Sequence, residues 1–376
     1  MDEKITPITQ EIRYAGIIEK WKAFWNLEDL ERPLWMFLTA PGLTPPALGE
    51  VSIPLFMKDK NIQLQEELKL LQRREKFSIQ DDFVPHLQPQ QGVTVFASAF
   101  GCLVDYDHGL PWASPIIRQD DLPRKVYELP IPNVTDGQLG DMLKFTDYFV
   151  KETKGRYPIA LTDLQGPLDT AYLIWEPTSF MMAMYDHPKE VHRLMRLVTD
   201  LIIKFVKEQR ARCPEFIPCH FPPIYLPDGK GIAISDDCLD VLNSELYEKF
   251  ALPYVNELSE EFGGILIHSC GNFVHQFDNL KKIHNLRGIN FGATETPFDA
   301  VWENFGGKIA IIPHLGLNKK IHFSTSLEYV EYILKRKTTN RGLCILIDLP
   351  KKDNVVDLNF DRTFIAKINY LIERYS

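Results

Sequence analysis

The sequence predicts an α/β fold, a (β/α)₈ barrel of the TIM type with an insertion in its N-terminal half. Three observations carry this expectation. Strand-like and helix-like stretches alternate along the chain, the order that yields a parallel sheet with crossover helices. The strand-like stretches number eight, and a parallel sheet of eight can close on itself. A polar, chemistry-bearing motif follows an apolar run directly, where the carboxyl end of a buried strand would lie.

The eight strands are expected over Trp35 to Thr39, Phe83 to Pro85, Tyr157 to Leu161, Phe216 to Phe221, Gly264 to His268, Gly288 to Phe291, Ile309 to Leu315 and Leu343 to Leu349. Helices are expected between the later ones. Over Ser244 to Phe262, Leu246, Phe250, Tyr254 and Leu258 recur at helical spacing, and Leu327 to Arg336 reads the same way. The stretch from about His86 to Val150 breaks the rhythm with Gly92, Gly101, Pro111, Pro115 and Pro123. A long irregular segment inside a compact domain is commonly an insertion or lid. Its Trp112 is either a residue lining the mouth or simply one packing the insertion down. No internal repeat marks a separate module, so residues 1–376 are expected to form one domain.

Composition narrows the class of function. With 376 residues, 45% hydrophobic and 25% charged, the chain can bury a large core. A net charge of -9 without a Lys/Arg cluster argues against nucleic acid as a partner. No run is long enough to span a bilayer, and the start Met1-Asp2-Glu3-Lys4 lacks the order of a signal peptide, so a cytoplasmic location away from membranes is expected. The six cysteines are too few and scattered for a disulfide framework and read as reduced thiols.

The motif with the most chemistry is His268-Ser269-Cys270-Gly271-Asn272, after Gly264-Ile265-Leu266-Ile267. Residues i and i+2 of a strand share a face, so an imidazole and a thiol can converge on one point, and Gly with Asn permits the turn. His-x-Cys is half of a zinc site, or else a satisfied histidine beside a small buried cysteine, because zinc needs at least three protein ligands. Glu295 in Asn290-Phe291-Gly292-Ala293-Thr294-Glu295 follows the next strand and is the preferred third ligand; a solvated loop acid is the alternative. Asp163, beside Gly166-Pro167, either holds substrate or caps a helix. His220, Tyr225, Asp236 and Asp237 follow a strand end and are candidates to orient a small substrate, with Asp236 in a catalytic role; Asp236 is alternatively a turn residue.

The run Ser235-Asp236-Asp237, then Tyr247 through Tyr254, then Leu266 through Asn272, preceded by Gly166-Pro167, Pro177-Thr178-Ser179-Phe180 and His187 through Val191, resembles the uroporphyrinogen decarboxylase superfamily from about Pro158 onward. The resemblance implies a (β/α)₈ barrel. It also offers two chemistries. True decarboxylases of the family carry an Arg-Gln-Ala-Gly-Arg motif after the first strand; here Arg32-Pro33-Leu34-Trp35 continues Met36-Phe37-Leu38-Thr39-Ala40-Pro41-Gly42 without arginine. A substrate bearing many carboxylates would meet an acidic protein without that clamp. The cobalamin-dependent methyltransferase branch is the better match, and it implies zinc, a corrinoid carried by a partner protein, and a small methylated substrate or thiol. There the His-x-Cys pair binds zinc together with a later cysteine. In this chain Cys344 lies near the start of the last expected strand, so the resemblance does not extend to it, and Asp348 or Glu295 is left to complete the site. Another decarboxylase activity, a non-catalytic binding barrel and a homodimer stay open as alternatives.

Overall fold

The computed structural model describes residues 7–38, 51–76, 80–106, 110–118, 121, 123–316, 323–348, 351–352, 355–356 and 362–376. Strand β1 (Leu34–Phe37) and a hairpin of β2 (Leu103–Asp105) with β3 (Trp112–Ser114) precede β4 (Ile159–Ala160), β5 (Phe216–Ile217) and β6 (Ile232–Ser235). After them come β7 (Ile265–Ser269), β8 (Leu286–Gly292), β9 (Ala310–His314) and β10 (Cys344–Ile347).

Backbone hydrogen bonds carry the ring round. Parallel pairing joins β10 to β1, β4 to β5, and β6 through β7 and β8 to β9. The remaining junctions rest on one or two bonds: Asp82 N–H to the Trp35 carbonyl, Leu87 N–H to Pro158 with Ala160 N–H to Leu87, Ala233 N–H to Pro218, and Ile311 N–H to Gly342. The chain is thus a (β/α)₈-type barrel, and its strands are short and buried on both faces, as a parallel sheet covered by helices requires.

Period two divides the side chains into two buried sets. Leu34, Met36, Ala233, Leu266, Ile312 and Leu346 share the barrel interior. Trp35, Phe37, Ile234, Ile267, Ile289 and Ile345 pack outward against helical residues such as Ile202, Tyr247 and Tyr329. Full burial of one such side chain contributes about 1.5–3 kcal/mol. Helix Pro7–Trp25 packs on the interior set at the amino-terminal ends, where Trp21 Nε1 donates to the Asp82 carbonyl and Trp25 Nε1 to that of Tyr225.

Two expectations need correction. The strand Ile232–Ser235 was absent from the eight, because only four residues long and buried throughout it shows no polar alternation, and Ser235 was read as loop. The segment expected as strand Phe83 to Pro85 forms no strand; two residues beyond it Leu87 makes an isolated bridge to Ile159. Within the irregular stretch, a helix covers Val95–Ala99, and residues Gly137–Thr153 form a regular amphipathic helix that leads into β4. Thr39 and Leu349, ends of two expected strands, lie outside the described residues.

Gly231, which opens β6, is a position where geometry demands glycine. Its φ is +127°, and an added Cβ would stand 2.7 Å from the carbonyl atoms of Gly264 at the entry to β7. Gly231→Ala should therefore cost about 1–3 kcal/mol, read as a lower urea midpoint at unchanged slope. An unshifted midpoint would show that the β6–β7 entry can widen without cost.

Candidate metal centre

His268 is the fourth residue of β7 and stands in register with Ser235 of β6 and Asn290 of β8, on the inward face at the carboxyl ends. Cys270 follows one residue after the strand ends. Its backbone N–H donates to Asp237 Oδ1 at 2.7 Å. Asp237 is itself held by a carboxylate: Asp169 accepts the backbone N–H of Asp237 at 2.6 Å and of Cys238 at 2.9 Å. These ties bring one donor atom each from Asp237, His268 and Cys270 within 4.8 Å of one another.

The tautomer of His268 follows from its neighbours. Asn290 Nδ2 donates to the Ile312 carbonyl, which fixes the amide with Oδ1 toward His268 Nδ1, 2.6 Å away. An amide oxygen only accepts, so Nδ1 carries the proton and Nε2 offers its lone pair to the cluster. The Cys270 thiol then donates to Nε2, with Sγ at 3.1 Å. A second polar group that orients a ligating histidine is the usual support of a metal site.

Electrostatics agree with a site prepared for a cation. Burial pushes the Cys270 thiol up to about 12, and the charges of Asp237 and Glu295 add to this. Burial lowers His268, opposed by Asp237, so the imidazole is neutral and available as a donor. A dication reverses the balance at the thiol, because it stabilises the thiolate that burial disfavours. Tetrahedral zinc with Zn–N near 2.0 Å and Zn–S near 2.3 Å spaces its donors about 3.3–3.8 Å apart, within the span these three atoms share. The nitrogen, sulfur and oxygen set therefore fits zinc.

Of the other candidates, the structure brings two to the mouth. His220 Nε2 lies 3.0 Å from Ser235 Oγ and 4.0 Å from Asp163 Oδ1, and Asp163 accepts from Gln165 Nε2 at 2.8 Å. Burial first, then Asp237, raises the Asp163 carboxyl to about 6. Asp236 is elsewhere. Ser235 faces inward, so its neighbour faces the helices, where Asp236 Oδ2 accepts from the Tyr247 hydroxyl at 2.6 Å and the residue is buried. The catalytic role expected for Asp236 is thus corrected to that of a buried carboxyl behind the site. Tyr225 is corrected too. The chain descends after Phe221, and Tyr225 ends among Glu215, Lys22 and Glu19 at the amino-terminal rim. Trp112 is 56% exposed on the hairpin, paired with Asp105.

The third donor atom beside the pair belongs to Asp237 and not to the expected Glu295. Glu295 Oε2 accepts from Thr294 Oγ1 and covers the Cα atoms of Gly292 and Gly316, and the carboxylate stands outside the three-donor cluster. Cys344 is the first residue of β10, beside Leu34, at the far end of the barrel. Asp348 carries its charge near Tyr329.

Sequence reading missed Asn290, Asp169, Phe221 and His314. The Phe221 ring meets His268 edge-on at 4.4 Å, and His314 lies 5.8 Å from His268 between ring centroids. His314 carries a signal that was available: it ends an apolar run as His268 does.

The uroporphyrinogen decarboxylase (URO-D) family model matches residues 90–217. A search of curated proteins found no match. Among solved structures, a methyltransferase from Methanosarcina mazei superposes with a TM-score of 0.66 at 11% identity, covering 96% of this chain and 98% of that one. A B12-independent methionine synthase from Shewanella sp. W3-18-1, in complex with selenomethionine, gives 0.50 at 13% identity, covering 91% and 96%. The chain thus carries the uroporphyrinogen decarboxylase signature over residues 90–217 and shares its fold with these two structures.

Proposed function

We propose that the protein is a zinc-dependent methyltransferase that moves a methyl group between a small methylated substrate or thiol and a corrinoid carried by a partner protein. The observation that carries this reading is the convergence of Asp237, His268 and Cys270 at the carboxyl end of the barrel, with Asn290 setting the imidazole. The names of the two structural neighbours agree with methyl transfer. A family-typical decarboxylation is disfavoured by the use of Arg32, whose guanidinium is committed to both oxygens of Asp82 at 2.7 and 2.9 Å.

His268, Cys270 and Asp237 would hold the metal. Zinc bound there supplies Lewis acidity, lowering the pKa of a thiol or polarising the heteroatom that bears the methyl group. The chain supplies the rest. Asn290 keeps Nε2 of His268 unprotonated, Asp169 fixes the turn that presents Asp237, and Phe221 covers one side of the imidazole. Asp163 and His220 sit beside the cluster to orient a substrate. Among the described residues no helix is long and apolar enough to cross a membrane.

As purified, the protein should hold about one zinc per chain and transfer methyl between methylcobalamin and a thiol, or from a methylated donor to cob(I)alamin, followed by the cobalamin spectrum. Absence of zinc after growth in zinc-replete medium would remove the reading. Metal binding must also release the Cys270 proton. With the thiol held up to about 12, zinc affinity should rise about tenfold per pH unit between pH 7 and 9, and a flat profile would exclude Cys270 as a ligand.

A further inference from the structure

One amide sets two imidazoles. Asn290 Nδ2, besides donating to the Ile312 carbonyl, lies 3.4 Å from Nδ1 of His314. An amide nitrogen has only protons to offer, so His314 Nδ1 accepts and carries none. A histidine whose Nδ1 is bare is neutral and has its proton on Nε2. The opposite end of the same amide forces the opposite arrangement on His268, whose proton is on Nδ1. The two rings therefore present different faces: a lone pair from His268 and an N–H from His314.

That N–H has no assigned use. His314 is only 7% exposed, yet its Nε2 has no hydrogen-bond partner among the described residues and is not one of the fully enclosed polar atoms. It belongs to the inward face of β9, with Phe221 edge-on at 6.1 Å and His268 at 5.8 Å. A neutral N–H that opens to the mouth is a directional donor, free to pass from water to an acceptor on a bound molecule.

We infer that His314 is a substrate-positioning residue whose Nε2–H, oriented by Asn290, donates to a lone-pair-bearing oxygen or sulfur of the small molecule bound beside His268 and Cys270. This fits an ether, thioether or alcohol and not a quaternary ammonium group, which has no lone pair to accept. The substrate side of the inference rests on the function proposed above. The tautomer does not.

Imidazole nitrogen NMR on the full chain labelled with ¹⁵N-histidine tests both. His314 should show a protonated Nε2 and a bare Nδ1, and His268 the reverse in metal-free protein. In Asn290→Asp the carboxylate still accepts from His268 but cannot donate to His314, so the His314 proton should move to Nδ1. Adding 1,2-dimethoxyethane should shift the His314 Nε2–H resonance. Its affinity should fall about tenfold in His314→Leu and stay within about threefold in His314→Gln, which keeps an N–H donor. Tetramethylammonium binding should be the same in all three. A proton on Nδ1 of His314 in the parent protein, a resonance unmoved at the highest ether concentration that leaves the protein folded, or equal ether affinity in the Leu variant would overturn the inference. Zinc-free protein with Nε2 protonated defeats the metal reading alone, whereas zinc-loaded protein with Nδ1 protonated defeats this one alone.

Discussion

Cys270→Ser and His268→Ala should each lower zinc affinity by at least about 100-fold, the largest functional effect expected of any single change. Both donors come from one strand end whose backbone is fixed on either side, so neither can be replaced by a shift of its neighbours. Asp237→Asn keeps the acceptor for the Cys270 N–H but removes the charge, and it should weaken zinc by about 10–100-fold. Glu295→Gln and Cys344→Ser should stay within about threefold, because Glu295 is turned to Thr294 and Cys344 lies at the amino-terminal end of β10. Competition titrations with a chromophoric chelator measure all five. A loss in Glu295→Gln or Cys344→Ser without one in Asp237→Asn would mean that the metal assembles a different ligand set from the one the folded chain presents.

Between pH 6 and pH 4 the metal-free parent protein should lose about 2.5 kcal/mol more stability than its His220→Asn variant, about 1.4 kcal/mol per pH unit. Burial lowers His86 to about 4 and His220 and His314 to about 3. The unfolded imidazoles near 6.5 take up protons first, so the unfolded state binds more protons and stability falls as pH falls. Buried carboxyls act the other way. Burial raises Asp163 to about 6 and Asp236 to about 7, so below those values they are neutral in the fold while the unfolded carboxyls near 3.9 are still charged, and this adds stability on acidification. Glu67 and Asp169, also raised by burial, act as these two do, so the balance over the whole chain is near even, and it is the difference between parent and variant that isolates His220. Urea denaturation of both proteins across this range reads that difference directly. Parallel profiles would show that the His220 imidazole is protonated as easily in the fold as in the unfolded chain.

The barrel and the placement of His268 with Cys270 at a strand's end were legible because both are local patterns. Short apolar runs separated by amphipathic stretches report a covered parallel sheet, and His268 with Cys270 share a face by their spacing alone. Family motifs led to the same fold. Whatever depended on which strand stands beside which was not legible. Ser235 and Asp236 look alike in sequence, yet pairing of β6 with β7 turns Ser235 to the mouth and Asp236 to Tyr247. Tyr225 and His220 are five residues apart and end at opposite rims, because the chain doubles back between β5 and β6. From the sequence Glu295 reads as the third partner of the pair and Asp237 as a substrate-orienting acid, though each lies just past a strand. In the fold it is Asp237 that stands beside the pair, because Asp169, some seventy residues earlier, pins its backbone N–H, and Cys270 donates to its carboxylate.

By itself, then, the sequence determined a covered parallel barrel and a His-x-Cys pair at a strand's end, since both follow from periodicity along the chain. The third donor, the tautomers of His268 and His314 and the orientation of every mouth carboxylate were decided only by the tertiary structure. Those depend on hydrogen bonds between strands far apart in sequence, which no spacing along one chain encodes.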